Sequence, residues 1–260
     1  MSDRALTFTN EDGTFKTKEQ FLSEAETVYD NVANSINNDI DLFEICTSAD
    51  SQIDAAATLT TYETLTKTIN ICEEVTSELA NKVIKLIRFY NQCDRDIENP
   101  NPIFIFINTD GGELHAAFSI ISAIEASTTP VYTINLGKAF SAGFLILISG
   151  HKRFGMAYAD YLFHEGANCA AGDAHKVIQS VTYYEKELQR IKDIVLDNTC
   201  ISEELYEEHK KDDWWFGTYE AINYNVIDKV INTWEDIYHD MYEINEDEKE
   251  DNTDESNTNR

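Results

Sequence analysis

The stretch PVYTINLGKAFSAGFLILISG, residues 130–150, passes from a β-branched and aromatic segment into an aliphatic one, with one serine, Ser141, at the join. "PVYTINLG" reads as a strand because its residue types suit a pleated, buried surface. "SAGFLILISG" reads as an apolar helix. A serine at such a turn has two readings. It can cap the helix, its Oγ accepting an N–H of the first turn. Alternatively its Oγ is lifted off the sheet beside free N–H groups, where it is a nucleophile next to a place for an oxyanion. The local pattern is G-x-x-x-S-x-G (Gly137, Ser141, Gly143), and position 139 is alanine, so the G-x-S-x-G elbow of α/β-hydrolases is absent. These residues alone leave both readings open.

The flanking sequence alternates between the two periods. "TLTKTINI" (64–71) and "PIFIFIN" (102–108) read as strands, and "TSELANKVIKLIRFYNQ" (76–92) and "GGELHAAFSIISAIEAS" (111–127) as helices. "YLFHEG" (161–166) ends a further strand, with "SGHKRF" (149–154) before it as a loop. A β-α-β-α-β-α-β order predicts an α/β fold with parallel strands joined by helical crossovers. A long helix follows at about 173–198, with Val177, Ile178, Val181, Tyr184, Leu188, Ile191 and Val195 in the 3.6-residue period. Ser202 is placed to cap a short helix beyond it. Three regions result: an extension over 1–59 with an amphipathic helix at "KEQFLSEAETVYDNVANSINN", an α/β domain over 60–235, and a tail over 236–260 whose acidic composition predicts disorder.

Charge removes some functions. Twenty basic residues stand against 48 acidic ones, a net of −28, so the field repels phosphate backbones and anionic bilayers, and neither nucleic acid nor membrane is an expected partner. The aliphatic run "FLILI" is too short to cross a bilayer, and "MSDRALTFTNEDG" lacks the apolar core of a signal peptide. The five cysteines are scattered without a C-x-x-C pair, as expected for reduced thiols. A cytoplasmic protein is the expectation. No cofactor is expected: G-x-G-x-x-G and Walker A are absent, and with no H-E-x-x-H the histidines show no metal spacing.

Two further features bear on chemistry. Gly111-Gly112 follows a predicted strand and opens a helix, where paired glycines either form a tight turn or present backbone N–H groups to a ligand. His164 closes the strand "YLFH", where it either satisfies a loop carbonyl or reaches a site.

Together these segments resemble the ClpP family, the proteolytic subunits of ATP-dependent Clp proteases. "NTDGG", "GKAFSAG", "SGHKRF" and "HEG" stand where that family has N-S-P-G-G, G-x-A-A-S-M-G, A-G…K-R-F and H-Q-P. Gly112 precedes Ser141 by 29 positions, as in the family. His164 follows by 23, two fewer than usual. Asp213, 49 after His164 in "DDWWFGTYEA", stands at the family's third position, with Asp212 adjacent to it. The resemblance spans roughly 62–233. It implies a ClpP/crotonase-like fold with a protruding handle helix at 173–198 and a serine endopeptidase acting on unfolded polypeptides. Ser141 is then the nucleophile, His164 the base and Asp213 its orienting acid, with the N–H groups of Gly112 and Ala142 as the oxyanion hole. It also implies a heptameric ring, two such rings stacked, and an AAA+ unfoldase as partner. "GANCAAG" (166–172) resembles the family's substrate-aligning strand.

The departures are Ala142 for the family's Met, Gly166 for its Pro, and Thr109-Asp110 for its Ser-Pro, which brings a carboxylate near the oxyanion hole. Three other readings remain at this stage. A crotonase-type acyl-CoA enzyme would use the paired glycines. A Ser-Lys peptidase would need Lys138. A catalytically weak or inactive scaffold subunit would need none of the triad.

Overall fold

The computed structural model describes residues 63–64, 66–166 and 170–237. The amphipathic helix expected near the N-terminus, residues 167–169 of the substrate-aligning segment and nearly all of the acidic tail lie outside the described residues. The chain divides into two compact units, Met1–Thr68 and Ile69–Arg260. In the first, Thr66 Oγ1 lies 2.8 Å from Thr68 Oγ1 and 3.4 Å from the Glu63 carbonyl. The second carries the fold.

Strand β1 (Thr68–Ile71) occupies only the last half of "TLTKTINI". Helix α1 (Ser77–Cys93) begins where Thr76 accepts the Leu79 N–H at 3.2 Å, and its buried stripe is Leu79, Ala80, Val83, Ile87 and Tyr90. Strand β2 (Ile103–Thr109) alternates between two cores. Ile103, Ile105 and Ile107 face the helices and are fully buried, while Phe104 and Phe106 face the opposite side. Each such isoleucine contributes on the order of 1.5–3 kcal/mol. Helix α2 (Leu114–Glu125) returns the chain to β3 (Val131–Phe140), and α3 (Ala142–Ile148) follows, all seven of its residues buried.

Strand β3 is long because it pairs twice. Tyr132–Asn135 run parallel with β4 (Lys152–Met156), and Lys138–Phe140 run parallel with β5 (Asp160–Phe163). The sequence predicts a loop over residues 149–154. Lys152–Phe154 belong instead to a strand, too short and too basic to announce itself. Helix α4 (Ala174–Asn198) starts on the Asp173 side chain and buries Glu187, Ile191 and Val195. Ile178 and Val181, on the same predicted stripe, are at least half exposed. Helix α5 (Glu203–His209) is capped by Ser202 as expected. Strand β6 (Trp214–Gly217), α6 (Thr218–Asn223) and β7 (Lys229–Ile231) complete the unit.

The sheet path is β1-β2-β3-β4-β7, with β5 joined to β3 and β6 to β5. The β2–β3, β3–β4, β3–β5 and β4–β7 pairs are parallel as expected, whereas β6 runs antiparallel to β5. The chain between them consists of α4 and α5, and it returns at the open edge of β5 from the opposite direction. One larger core fills the helix side of the sheet. A smaller one, Phe104, Tyr132, Ile134, Phe154, Ile231 and Ile237, fills the other.

Candidate active site

The site lies where β3 ends and β5 and β6 pair. Ser141 stands between β3 and α3 at φ 53°, ψ −116°, a conformation that residues with a Cβ rarely adopt. Its backbone is held on both sides. The Ser141 N–H donates to the Leu162 carbonyl at 2.9 Å, and its own carbonyl accepts from Phe144 N–H at 3.0 Å and Leu145 N–H at 3.3 Å. Although Ser141 occupies the N-cap position, its side chain makes no cap hydrogen bond. The Oγ turns away from α3 and lies 2.7 Å from His164 Nε2.

His164 is positioned by register. The β5–β6 pairs are Asp160↔Gly217, Tyr161↔Phe216, Leu162↔Trp215 and Phe163↔Trp214. One step further, beyond both strands, His164 meets Asp213, and its Nδ1 lies 2.9 Å from Asp213 Oδ1. Tyr161, Phe163, Trp214 and Phe216 point into the helix-side core, so the alternation of a strand sends His164 and Asp213 to the other face. The imidazole is about one-third exposed and the carboxylate well exposed. Asp213 thus stands opposite the imidazole, and no described hydrogen bond joins Asp212 to it.

The residue after His164 is tied from three directions. Tyr206 Oη donates to Glu165 Oε1 at 2.9 Å, Tyr184 Oη donates to the Glu165 carbonyl at 3.1 Å, and Glu165 N–H donates to the Lys210 carbonyl at 3.3 Å. Burial, then the bond to Glu165, raises the Tyr206 phenol above its ordinary range. Sequence reasoning missed Glu165, because both of its tyrosine partners lie far along the chain. The signal available in the sequence was an acid directly after a candidate histidine.

Gly111 and Gly112 form the turn after β2, with φ of 101° and 152°. A Cβ on Gly111 would stand 2.7 Å from the Phe140 carbonyl oxygen and 2.9 Å from Ser141 Cβ. The turn therefore lies directly against the serine. It is bridged to Val75: Val75 N–H donates to Gly111 O at 2.8 Å, and Glu113 N–H donates to Val75 O at 2.7 Å. That pairing leaves the Gly112 N–H out of the bridge. Ala142, the first residue of α3, has an N–H without an acceptor inside the helix. Thr109 braces the turn from below, since its Oγ1 donates to Glu73 O at 2.6 Å and accepts from Gly111 N–H at 3.1 Å.

Lys138 does not reach the serine. Its Nζ lies 2.6 Å from Asp110 Oδ2. Three other histidines are engaged elsewhere: His115 faces Glu187, His151 Nδ1 accepts from the Val131 N–H, and His209 stacks on Trp214. Among the described residues no group of acids, histidines and cysteines could hold a metal ion, and no helix is long and apolar enough to cross a membrane.

The chain matches known proteins over the same region. The family model for Clp protease covers residues 53–234. An ATP-dependent Clp protease proteolytic subunit 2 of Treponema denticola is 28% identical over 174 residues, which are 66% of this chain and 85% of that protein. The proteolytic subunit of Lactococcus lactis is 28% identical over 157 residues, 59% of this chain and 77% of that one. Among solved structures, a mutant of ClpP1 from Listeria monocytogenes superposes with a TM-score of 0.60 at 26% identity, over 68% of this chain and 98% of its own. The expected ClpP/crotonase-like α/β fold is the one observed, and the chain belongs to the Clp protease family of ClpP proteolytic subunits.

Proposed function

We propose that this protein is a serine endopeptidase that cleaves unfolded polypeptides, a ClpP-like proteolytic subunit without an ATPase of its own. The observation that carries the reading is the continuous chain of hydrogen-bonding distances from Ser141 Oγ through both ring nitrogens of His164 to Asp213. Such a chain does two things at once. The Nδ1–H donated to Asp213 leaves the Nε2 lone pair free to face the hydroxyl, and the carboxylate stabilises the imidazolium that forms.

In this mechanism Ser141 Oγ attacks the scissile carbonyl carbon while its proton passes to His164 Nε2. The carbonyl electron pair moves onto oxygen, and the N–H groups of Gly112 and Ala142 accept the charge as hydrogen-bond donors. Collapse breaks the C–N bond, and the leaving amine takes the proton from Nε2. Water then enters, loses a proton to Nε2 and releases the acyl group, restoring Ser141. Residues 60–235 form the peptidase domain, 1–59 an N-terminal extension and 236–260 an acidic tail. The subunits close into a heptameric ring in the cytoplasm. Two rings stack through α4, and an AAA+ unfoldase feeds the chamber. The exposed Ile178, Val181 and Tyr183 on α4 support a helix that meets a partner.

The test is labelling by a fluorophosphonate, read by intact mass and peptide mapping. Stoichiometric modification of Ser141 is expected, absent from Ser141→Ala and His164→Ala, together with hydrolysis of an unfolded protein substrate. A folded, assembled protein that takes no label and cleaves nothing would leave the scaffold reading in its place. Native mass spectrometry tests the ring: a mass of seven or fourteen subunits is expected.

A further inference from the structure

The turn that carries Gly112 departs from an irregular part of the sheet. Along β2 and β3 the register is Ile107↔Asn135, but the next pair is Thr109↔Ala139, so Asn108 alone faces Leu136, Gly137 and Lys138. The extra residues interrupt the β2–β3 ladder a few residues before Ser141. The backbone bonds that elsewhere fix one strand against its neighbour are therefore interrupted at Asn108, and they resume for the single pair Thr109↔Ala139 before the Gly111-Gly112 turn. Thr109 and Val75 hold the turn from the β1 side. On the β3 side, the contact between side chains is the ion pair of Lys138 Nζ with Asp110 Oδ2. Lys138 lies within the irregular stretch, three residues before Ser141, and Asp110 directly precedes the two glycines. The two residues also line one groove of about 460 Å³ with Glu73, Glu74 and Gly112, and Lys138 is the only cation among its described lining residues.

We propose that Lys138 is a positioning residue of the active site. Its ion pair with Asp110 closes the open side of the sheet irregularity and sets the Gly112 N–H relative to Ser141. It also neutralises the carboxylate at the start of the turn, which would otherwise oppose the charge that develops on the substrate oxygen. The proposal rests on the reading of Ser141 as nucleophile. It follows from two physical requirements. A donor for a transition-state oxyanion acts only if fixed in place, because misplacement of about 1 Å costs on the order of a hundredfold in rate. An uncompensated negative charge beside that oxygen raises the barrier further. Neither effect requires Lys138 to touch the substrate. The pair is partly solvated, so its removal perturbs folding little.

The experiment measures inactivation of the full-length protein by a neutral alkyl fluorophosphonate, separating the limiting rate kinact from the affinity KI. Lys138→Met should lower kinact about tenfold with KI and Tm unchanged. Asp110→Asn should lower it less, because it removes the opposing charge together with the pair. The exchange Asp110→Lys/Lys138→Glu should recover most of the loss. In wild type, raising NaCl to ~1 M, where the screening length falls to about 3 Å, should slow inactivation, and Asp110→Asn should be insensitive to it. Wild-type kinetics in Lys138→Met, an exchange variant as slow as that single variant, or equal salt dependence in wild type and Asp110→Asn would overturn the proposal while leaving the nucleophile in place. A folded wild type that takes no label would overturn the nucleophile reading, and this proposal with it.

Discussion

His164 and Asp213 face each other one step beyond the last pair of the antiparallel β5–β6 ladder, with Nδ1 2.9 Å from Oδ1. Forty-nine residues separate them in sequence, and α4 and α5 lie between. Their meeting depends on β6 running antiparallel to β5. A one-residue slip of β6 would send Asp213 to the opposite face and put Trp214 in its place.

Asp213→Asn tests this relationship directly. An amide retains the shape but can donate to Nδ1, favouring the tautomer in which Nε2 carries the proton and cannot accept one from Ser141. A loss of kcat on the order of 10³–10⁴ is expected, with KM for a short peptide little changed. Asp212→Asn serves as the control and should cost less than threefold, roughly the scatter for an exposed polar change.

Gly111→Ala probes the close approach of the turn. Its φ of 101° is strained for any residue with a Cβ, and the new methyl group would press on the Phe140 carbonyl and Ser141 Cβ. About 1–3 kcal/mol of stability should be lost. The rate of Ser141 acylation should fall far more than stability does, by on the order of a hundredfold. Denaturant titration and fluorophosphonate kinetics on one preparation separate the two.

Arg153→Met removes a buried hub. The guanidinium bonds Asp228 through Nε at 3.0 Å and reaches the Asn198 carbonyl, tying β4 to the loop before β7 and to the end of α4. Removing one partner of such a pair typically costs about 3–5 kcal/mol, and the Asp228 carboxylate, about one-third exposed, places this site at the lower end. A lowered urea midpoint with an unchanged slope is the expected outcome.

Stability should decline in alkali. Burial pushes the Tyr161 phenol up to about 12, and burial with the Glu165 bond raises that of Tyr206. An unfolded tyrosine titrates near ~10. Below that pH both states hold the proton, and the contribution of these residues is fully present. Above it the unfolded chain ionises first, and stability falls by about 1.4 kcal/mol per pH unit for each tyrosine until the folded groups titrate. Tyr206→Phe should remove its share of that slope in urea midpoints measured across this range.

Much of the fold was legible because its elements are long and strongly periodic. Strand β2, α1, α2 and α4 lie within a few residues of where a β-branched and aromatic run and the 3.6-residue period place them. Strand β4 was not, since its five residues include a lysine, an arginine and a glycine, and its strand character comes from pairing with both β3 and β7. The same holds for β6. "WWFG" shows no turn or period of its own, and its direction is set by the edge of β5 that receives it.

For the candidate site, the sequence by itself determined which residue types were present and how far apart: a serine at a strand-to-helix junction, paired glycines 29 positions earlier, a histidine 23 later and an acid 49 beyond that. It could not decide between cap and nucleophile for Ser141, because both need a small polar residue before an apolar helix. Only the tertiary structure turned the Oγ away from α3 and toward His164, through a backbone conformation enforced by hydrogen bonds from β5 and α3. The Asp110–Lys138 pair was likewise invisible at a separation of 28 residues. Local periodicity is written in the order of the residues. Register, strand direction and the meeting of distant side chains follow from how the sheet closes around its two cores.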